Sequence, residues 1–240
     1  MKTDTTIRIT RTQYRVFAEA TKSVGLALNL SSFKRMENCW GGYSPWALLV
    51  CGDARKDEPE WQERALITLA ASINTTRLRS CGAGRPELDW SALEDHEIYP
   101  FVVWHEIGHR VDNFDHWLIG IKDVEILTEC RRRISFVNEL LADRYAWSQV
   151  RPGESIPLSE NGKRLQERAA ESLTYLEKHA PRLPFPCRSL AAGQYLDVPE
   201  YMLDGHQRAA FIGPEVSRKL VQQRAGYHRK RIAEGYRTLY

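Results

Sequence analysis

An α+β fold, mainly helical and with a small β-sheet, is what this sequence predicts, and three observations predict it. Four stretches, around residues 11–27, 99–113, 124–150 and 158–179, carry apolar residues at helical spacing. Two short apolar runs, residues 46–51 and 65–73, have the length of strands. A chain of 240 residues with 42% hydrophobic side chains and seven tryptophans can build one substantial core. A single domain over residues 1–240 is therefore expected.

In chain order, Tyr14, Val16, Phe17 and Ala20 give residues 11–27 their helical face. Gly41 and Gly42 mark residues 39–45 as a turn before a buried strand at 46–51. The run 65–73 lacks a clean period and fits either a strand or a buried helix. Gly82, Gly84 and Pro86 make residues 75–91 a loop. Pro100 suits the first turn of the next helix, where its missing N–H costs nothing. Phe101, Trp104, Ile107 and Val111 then form one apolar stripe, in which Gly108 would let another backbone approach closely. Residues 124–150 form a long helix, apolar on both sides through Phe136, Val137, Leu140 and Leu141, and Arg151-Pro152-Gly153 ends it. Another amphipathic helix lies within 158–179. Residues 181–186 are extended and 195–213 irregular.

The chemistry is concentrated in His105-Glu106-Ile107-Gly108-His109. Two histidines four apart lie one above the other on a helix, about 40° apart around its axis. Both rings can therefore reach one metal ion at roughly 2.0–2.1 Å. They fall beside the apolar stripe, so the metal face abuts the core. Glu106 points to the rim of the same site, where an attacking water would sit, which is the HExxH arrangement of zinc hydrolases with Glu106 as general base.

Catalytic zinc usually takes three protein ligands. The best third ligand is Glu139, because a carboxylate in so apolar a helix is costly to bury unless something compensates its charge. Asp143 falls one turn later on the same face, placed to accept the other ring N–H of a ligand histidine. Ala142 and Ala146 would let this helix press against the metal helix. The alternative is an ion-pair network joining Glu139 and Asp143 to Arg131, Arg132 or Arg133.

HExxH followed about thirty residues later by Glu139-Leu140-Leu141-Ala142-Asp143 resembles the gluzincin-type zinc metallopeptidases. The resemblance implies a zincin-like fold, with zinc held by His105, His109 and Glu139, Glu106 as the base and Asp143 supporting a histidine. Residues 141–146 are also similar to the ImmA/IrrE-like proteases, although the apolar Met-Pro segment usual after that motif is replaced by Ser148-Gln149-Val150-Arg151-Pro152. The likeness covers residues 105–147 only. Rival ligands are Asp115, at the place of the third metzincin histidine, and Glu125 and Glu129. Asp112 could support the metal face or simply end the helix.

By analogy with zincin-like folds, the 65–73 run would be a strand at the cleft edge that takes substrate by strand addition. A donor to the tetrahedral intermediate's oxyanion is also needed. Tyr201 and His206 are the candidates, with Tyr145 behind them.

Composition narrows the setting. Five cysteines, odd in number and without a CxxC pair, argue against a disulfide framework and for a reducing compartment. No apolar signal region opens the chain, and no run approaches the eighteen or so residues needed to span a bilayer. A cytoplasmic protein with no membrane association is expected. Net charge is only +3, yet residues 214–240 hold seven Lys/Arg interleaved with Tyr227, Tyr236 and Tyr240.

The function expected is that of a Zn2+-dependent metallopeptidase acting on a protein or peptide substrate. The alternative is a non-catalytic zinc-containing regulatory protein that binds nucleic acid or an acidic protein through the basic, helical C-terminal segment.

Overall fold

The computed structural model describes residues 5–51, 60–118, 120–181, 196–197, 210–212 and 233. Among them, α-helices and small sheets make an α+β fold in two compact units. One unit comprises Met1–Arg8 and Ile73–Pro186, the other Ile9–Ser72 and Cys187–Tyr240.

The second unit begins its described part with helix α1 (Arg11–Ser23). Thr10 caps it by accepting from the Gln13 N–H at 3.2 Å, while Gln13 Oε1 accepts from the Thr10 N–H at 3.0 Å. The helix stops short of the expected residue 27 because Gly25 turns the chain at φ +74°. Strand β2 (Ala27–Ser31) follows, then β3 (Gly41–Cys51) and β4 (Glu60–Ala70). Two short strands, Leu196–Asp197 and Ala210–Ile212, complete a sheet in which β4 lies between parallel β2 and antiparallel β3. Leu28, Leu66, Ile67 and Leu69 are fully buried in it.

Two expectations are corrected here. Gly41 and Gly42 are not in a turn; they pair with Leu69 and Thr68 as the first residues of β3, and the chain absorbs Pro45 at a register shift between Ser44 and Ala47. The ambiguous run is a strand, but a central one. Residues 66–70 are paired with β2 on one side, and 66–69 with β3 on the other, so no free edge remains there for a substrate strand.

In the first unit, β1 (Thr6–Arg8) pairs with β5 (Ser72–Asn74). The expected loop at 75–91 instead starts as a short helix, α2 (Thr75–Cys81), because the Asn74 side chain caps it, accepting from the Arg77 N–H at 2.7 Å, and Thr75 and Leu78 are buried. Three long helices carry the rest: α3 (Ile98–Val111), α4 (Val124–Val150) and α5 (Glu160–His179). Asp123 caps α4 through the Glu125 and Ile126 N–H groups, and Ser159 caps α5 through that of Gly162. Val137, Leu140 and Leu141 of α4 pack with Ala169 and Leu176 of α5 and with Phe114 and Leu118 of the chain after α3.

On its other side α4 meets α3 at Gly108, where a Cβ would stand 2.9 Å from Ala142 Cα and 3.3 Å from Tyr145 Cβ. That close approach sets Glu139 and Asp143 against the histidine face of α3. No helix among the described residues is long and apolar enough to cross a membrane.

Candidate metal centre

His105 and His109 occupy successive turns of α3, and their Nε2 atoms face each other at 3.1 Å. Glu139 enters from α4: Oε2 lies 3.5 Å from His105 Nε2, and Oε1 3.4 Å from His109 Nε2. One donor atom from each of the three side chains falls within 4.8 Å of the others. Among the described residues this is the one group of His, Cys, Asp or Glu donors so arranged. Asp115 does not join it, and its Oδ1 accepts from the Trp117 N–H at 3.0 Å. Glu129 is engaged by Arg132 and Arg133, and Glu125 sits in the first turn of α4, outside the group.

Each opposite ring nitrogen faces an oxygen. His105 Nδ1 lies 2.9 Å from Asp143 Oδ1, off the line of a well-aligned hydrogen bond, and neither buried atom has another partner. Asn113, one turn beyond His109, accepts from His109 Nδ1 through Oδ1 at 2.6 Å. Its amide nitrogen donates to the carbonyls of Asn138 and Asp112, each at 3.2 Å. With Nδ1 turned to an acceptor on each ring, the Nε2 lone pairs are the ones left for a metal, as in structures where a carboxylate or amide oxygen orients a ligand histidine. Two imidazole nitrogens and a carboxylate oxygen, backed by buried acceptors, fit a divalent transition ion.

Access to solvent follows a gradient. The side chain of Asp143 is 1% exposed, His105 8%, His109 15% and Glu139 39%, so the cluster opens on the Glu139 side and is sealed behind His105. Trp90 and Phe101 form the seal, each with its ring centroid 6.3 Å from that of His105. Glu106 is buried beside the cluster on α3.

Electrostatics follow from this packing. Burial works against a charged His105 ring, but the Asp143 and Glu139 carboxylates outweigh it and push its pKa up to about 10. Burial by itself would raise Glu139, yet contact with the two histidines holds it far below the usual carboxylate range. Glu106 is pushed up by burial, and the charges of His105 and His109 oppose this only in part. A carboxylate raised toward neutrality is a better proton acceptor than one held low.

Two neighbours of the cluster have no counterpart in the sequence reading. Asn113 carries a readable signal, since it continues the four-residue progression from His105 and His109. Arg85 carries none. It, rather than any arginine of residues 131–133, is the cation that reaches Glu139 and Asp143. Tyr145 packs edge-on against Trp104, and Asp112 acts electrostatically on Arg144 and Tyr145. Tyr201, His206 and the basic segment 214–240 lie outside the described residues, apart from Ala233.

No protein-family model matches this chain, and no curated protein or solved structure matches it significantly.

Proposed function

We propose that the protein is a zinc-dependent metallopeptidase of the gluzincin type, with a zincin-like arrangement of the metal helix α3 and the ligand-bearing helix α4. The observation that carries this reading is the convergence of His105 Nε2, His109 Nε2 and a Glu139 oxygen beside a buried Glu106. When bound, zinc supplies Lewis acidity, acidifying water and polarising a carbonyl.

The chain's own residues supply the rest. His105, His109 and Glu139 hold the ion. Asp143 and Asn113 fix the planes of the two rings through Nδ1. Glu106 takes the proton of the water that attacks a peptide carbonyl and returns it to the leaving amine. The substrate is a peptide or protein, and the compartment is the cytoplasm.

Elemental analysis of the purified protein and of Glu139→Ala tests the reading, paired with cleavage of an unstructured peptide pool before and after chelation. The expected result is one zinc per chain, greatly weakened in the variant, with cleavage lost on chelation and restored by zinc. Wild-type protein that takes up no zinc when it is supplied, or cleavage indifferent to chelation, would overturn it.

A further inference from the structure

Arg85 lies in the turn that follows α2, 54 residues before Glu139 of α4. Its guanidinium nevertheless bridges two carboxylates of α4. Nη1 lies 2.7 Å from Glu139 Oε2, and Nε donates to Asp143 Oδ2 at 2.9 Å. Its Nη2 also reaches the Glu139 carbonyl at 3.4 Å. The guanidinium carbon sits 4.6 Å from the centroid of Trp90, the residue that seals His105.

The backbone beneath it is pinned as well. The Arg85 N–H donates to the Gly82 carbonyl at 3.0 Å, and its carbonyl accepts from Asn161 Nδ2 at 3.0 Å. Just downstream, Glu87 binds Arg144 of α4 through both carboxylate oxygens, and Leu88 bridges to Leu158 before α5. The guanidinium is therefore a fixed fork presented to α4 rather than a free surface charge.

We infer that Arg85 is a positioning residue of the metal centre, which makes Glu139 a one-oxygen ligand and holds Asp143 under His105. The inference rests on the metal reading above. Arg85 commits Oε2 of Glu139, which leaves Oε1, on the His109 side, as the oxygen for the ion. Through Nε it fixes Oδ2 of Asp143, so that Oδ1 stays on His105 Nδ1. A single guanidinium thus sets the third ligand and the plane of the first. The result is a site with two nitrogens, one oxygen and a remaining open position, as a catalytic zinc site requires. Lysine cannot substitute fully, because a compact ammonium can satisfy one carboxylate but cannot bridge two in a fixed plane.

The sign of the effect separates positioning from simple charge. Removing a positive group beside a cation site would, by Coulomb's law alone, tighten cation binding. Loss of positioning weakens it.

The test is Zn2+ affinity by competition with a chromophoric chelator, together with the visible absorption of the Co2+-loaded protein, for wild type, Arg85→Gln and Arg85→Lys. Circular dichroism reports whether each variant is folded. Expected are Zn2+ binding weakened about 10–100-fold in Arg85→Gln, in line with loss of other groups that orient ligands, and an intermediate loss in Arg85→Lys. The intense Co2+ bands of a four-coordinate site should weaken in Arg85→Gln as the second Glu139 oxygen joins the ion. Unchanged or tighter Zn2+ binding with an unchanged Co2+ spectrum would overturn the role of Arg85 and leave the metal reading standing. Wild-type protein that binds neither ion would overturn both. If Arg85→Gln does not fold, Arg85→Lys decides: a shifted Co2+ spectrum supports the inference, and a wild-type spectrum ends it.

Discussion

Asn138 clasps the backbone of Phe114 at both ends of one residue: the Phe114 N–H donates to Oδ1 at 3.0 Å, and Nδ2 donates to the Phe114 carbonyl at 3.1 Å. Phe114 follows the last turn of α3, and Asn138 immediately precedes Glu139. The pair therefore registers the end of the histidine helix against the third donor. The Asn138 carbonyl accepts from Asn113, which in turn holds His109. Asn138→Ala removes both side-chain hydrogen bonds to Phe114, each worth about 0.5–1.5 kcal/mol, so unfolding stability should fall by about 1–3 kcal/mol. Denaturant titration of the metal-free variant checks this, and a loss below half a kcal/mol would mean that water replaces both bonds.

Gly108 of α3 packs closely against Ala142 of α4. A methyl group at 108 would meet main-chain atoms of Ala142, which cannot swing away as a flexible side-chain end can. Gly108→Ala gains some helix propensity, about 1 kcal/mol, but forces the helices apart. For Gly108→Val the overpacking cost of typically 1–3 kcal/mol should dominate, and metal binding should weaken because the donors sit on the two separated helices. A Gly108→Val protein with wild-type melting temperature and metal affinity would show that the contact is not tight.

How far the sequence revealed all this depends on the range of each interaction. The His105–His109 pair and the span Val124–Val150 of α4 were legible, because helical spacing and caps are local. Asn113 obeyed the same four-residue rule and was open to recognition. Arg85 was not, since no spacing rule ties a turn to a helix 54 residues away. Gly41-Gly42 read as a turn because glycine pairs usually make one, and only pairing with Leu69 and Thr68 turns them into strand. The central place of β4 likewise depends on β2 returning parallel to it, which the residues of β4 do not encode.

Arg151 and Glu97 tie the end of α4 to the start of α3. Nε and Nη2 of Arg151 donate to the two Glu97 oxygens, both at 2.8 Å, in a fork-to-fork pair. The hydrogen bonds from Arg151 hold the Glu97 carboxyl below the usual carboxylate range, despite the opposing effect of burial. A group whose pKa is lower folded than unfolded adds stability above its unfolded value, and loses it as pH falls through the folded one. The melting temperature should thus fall as pH drops below the ordinary carboxylate range. In Arg151→Met this contribution to the acid slope should shrink, and stability at pH 7 should be lower by about 1.5–3 kcal/mol. Parallel acid-side melting curves for the two proteins would remove the pair from the account.

Glu106 is the residue on which the proposed chemistry turns, and its environment allows a clean substitution. It is buried next to His105 on α3, takes no part in the three-donor group, and is raised by burial toward the range of a working base. Glu106→Gln keeps shape and volume while removing the proton acceptor. The variant should fold, bind Zn2+ with the wild-type stoichiometry, and lose hydrolysis by about 100-fold or more, the usual scale of general-base loss. The two measurements must be read together. Cleavage at the parent rate with zinc retained would reassign the base, whereas loss of zinc along with cleavage would place Glu106 among the groups that hold the ion.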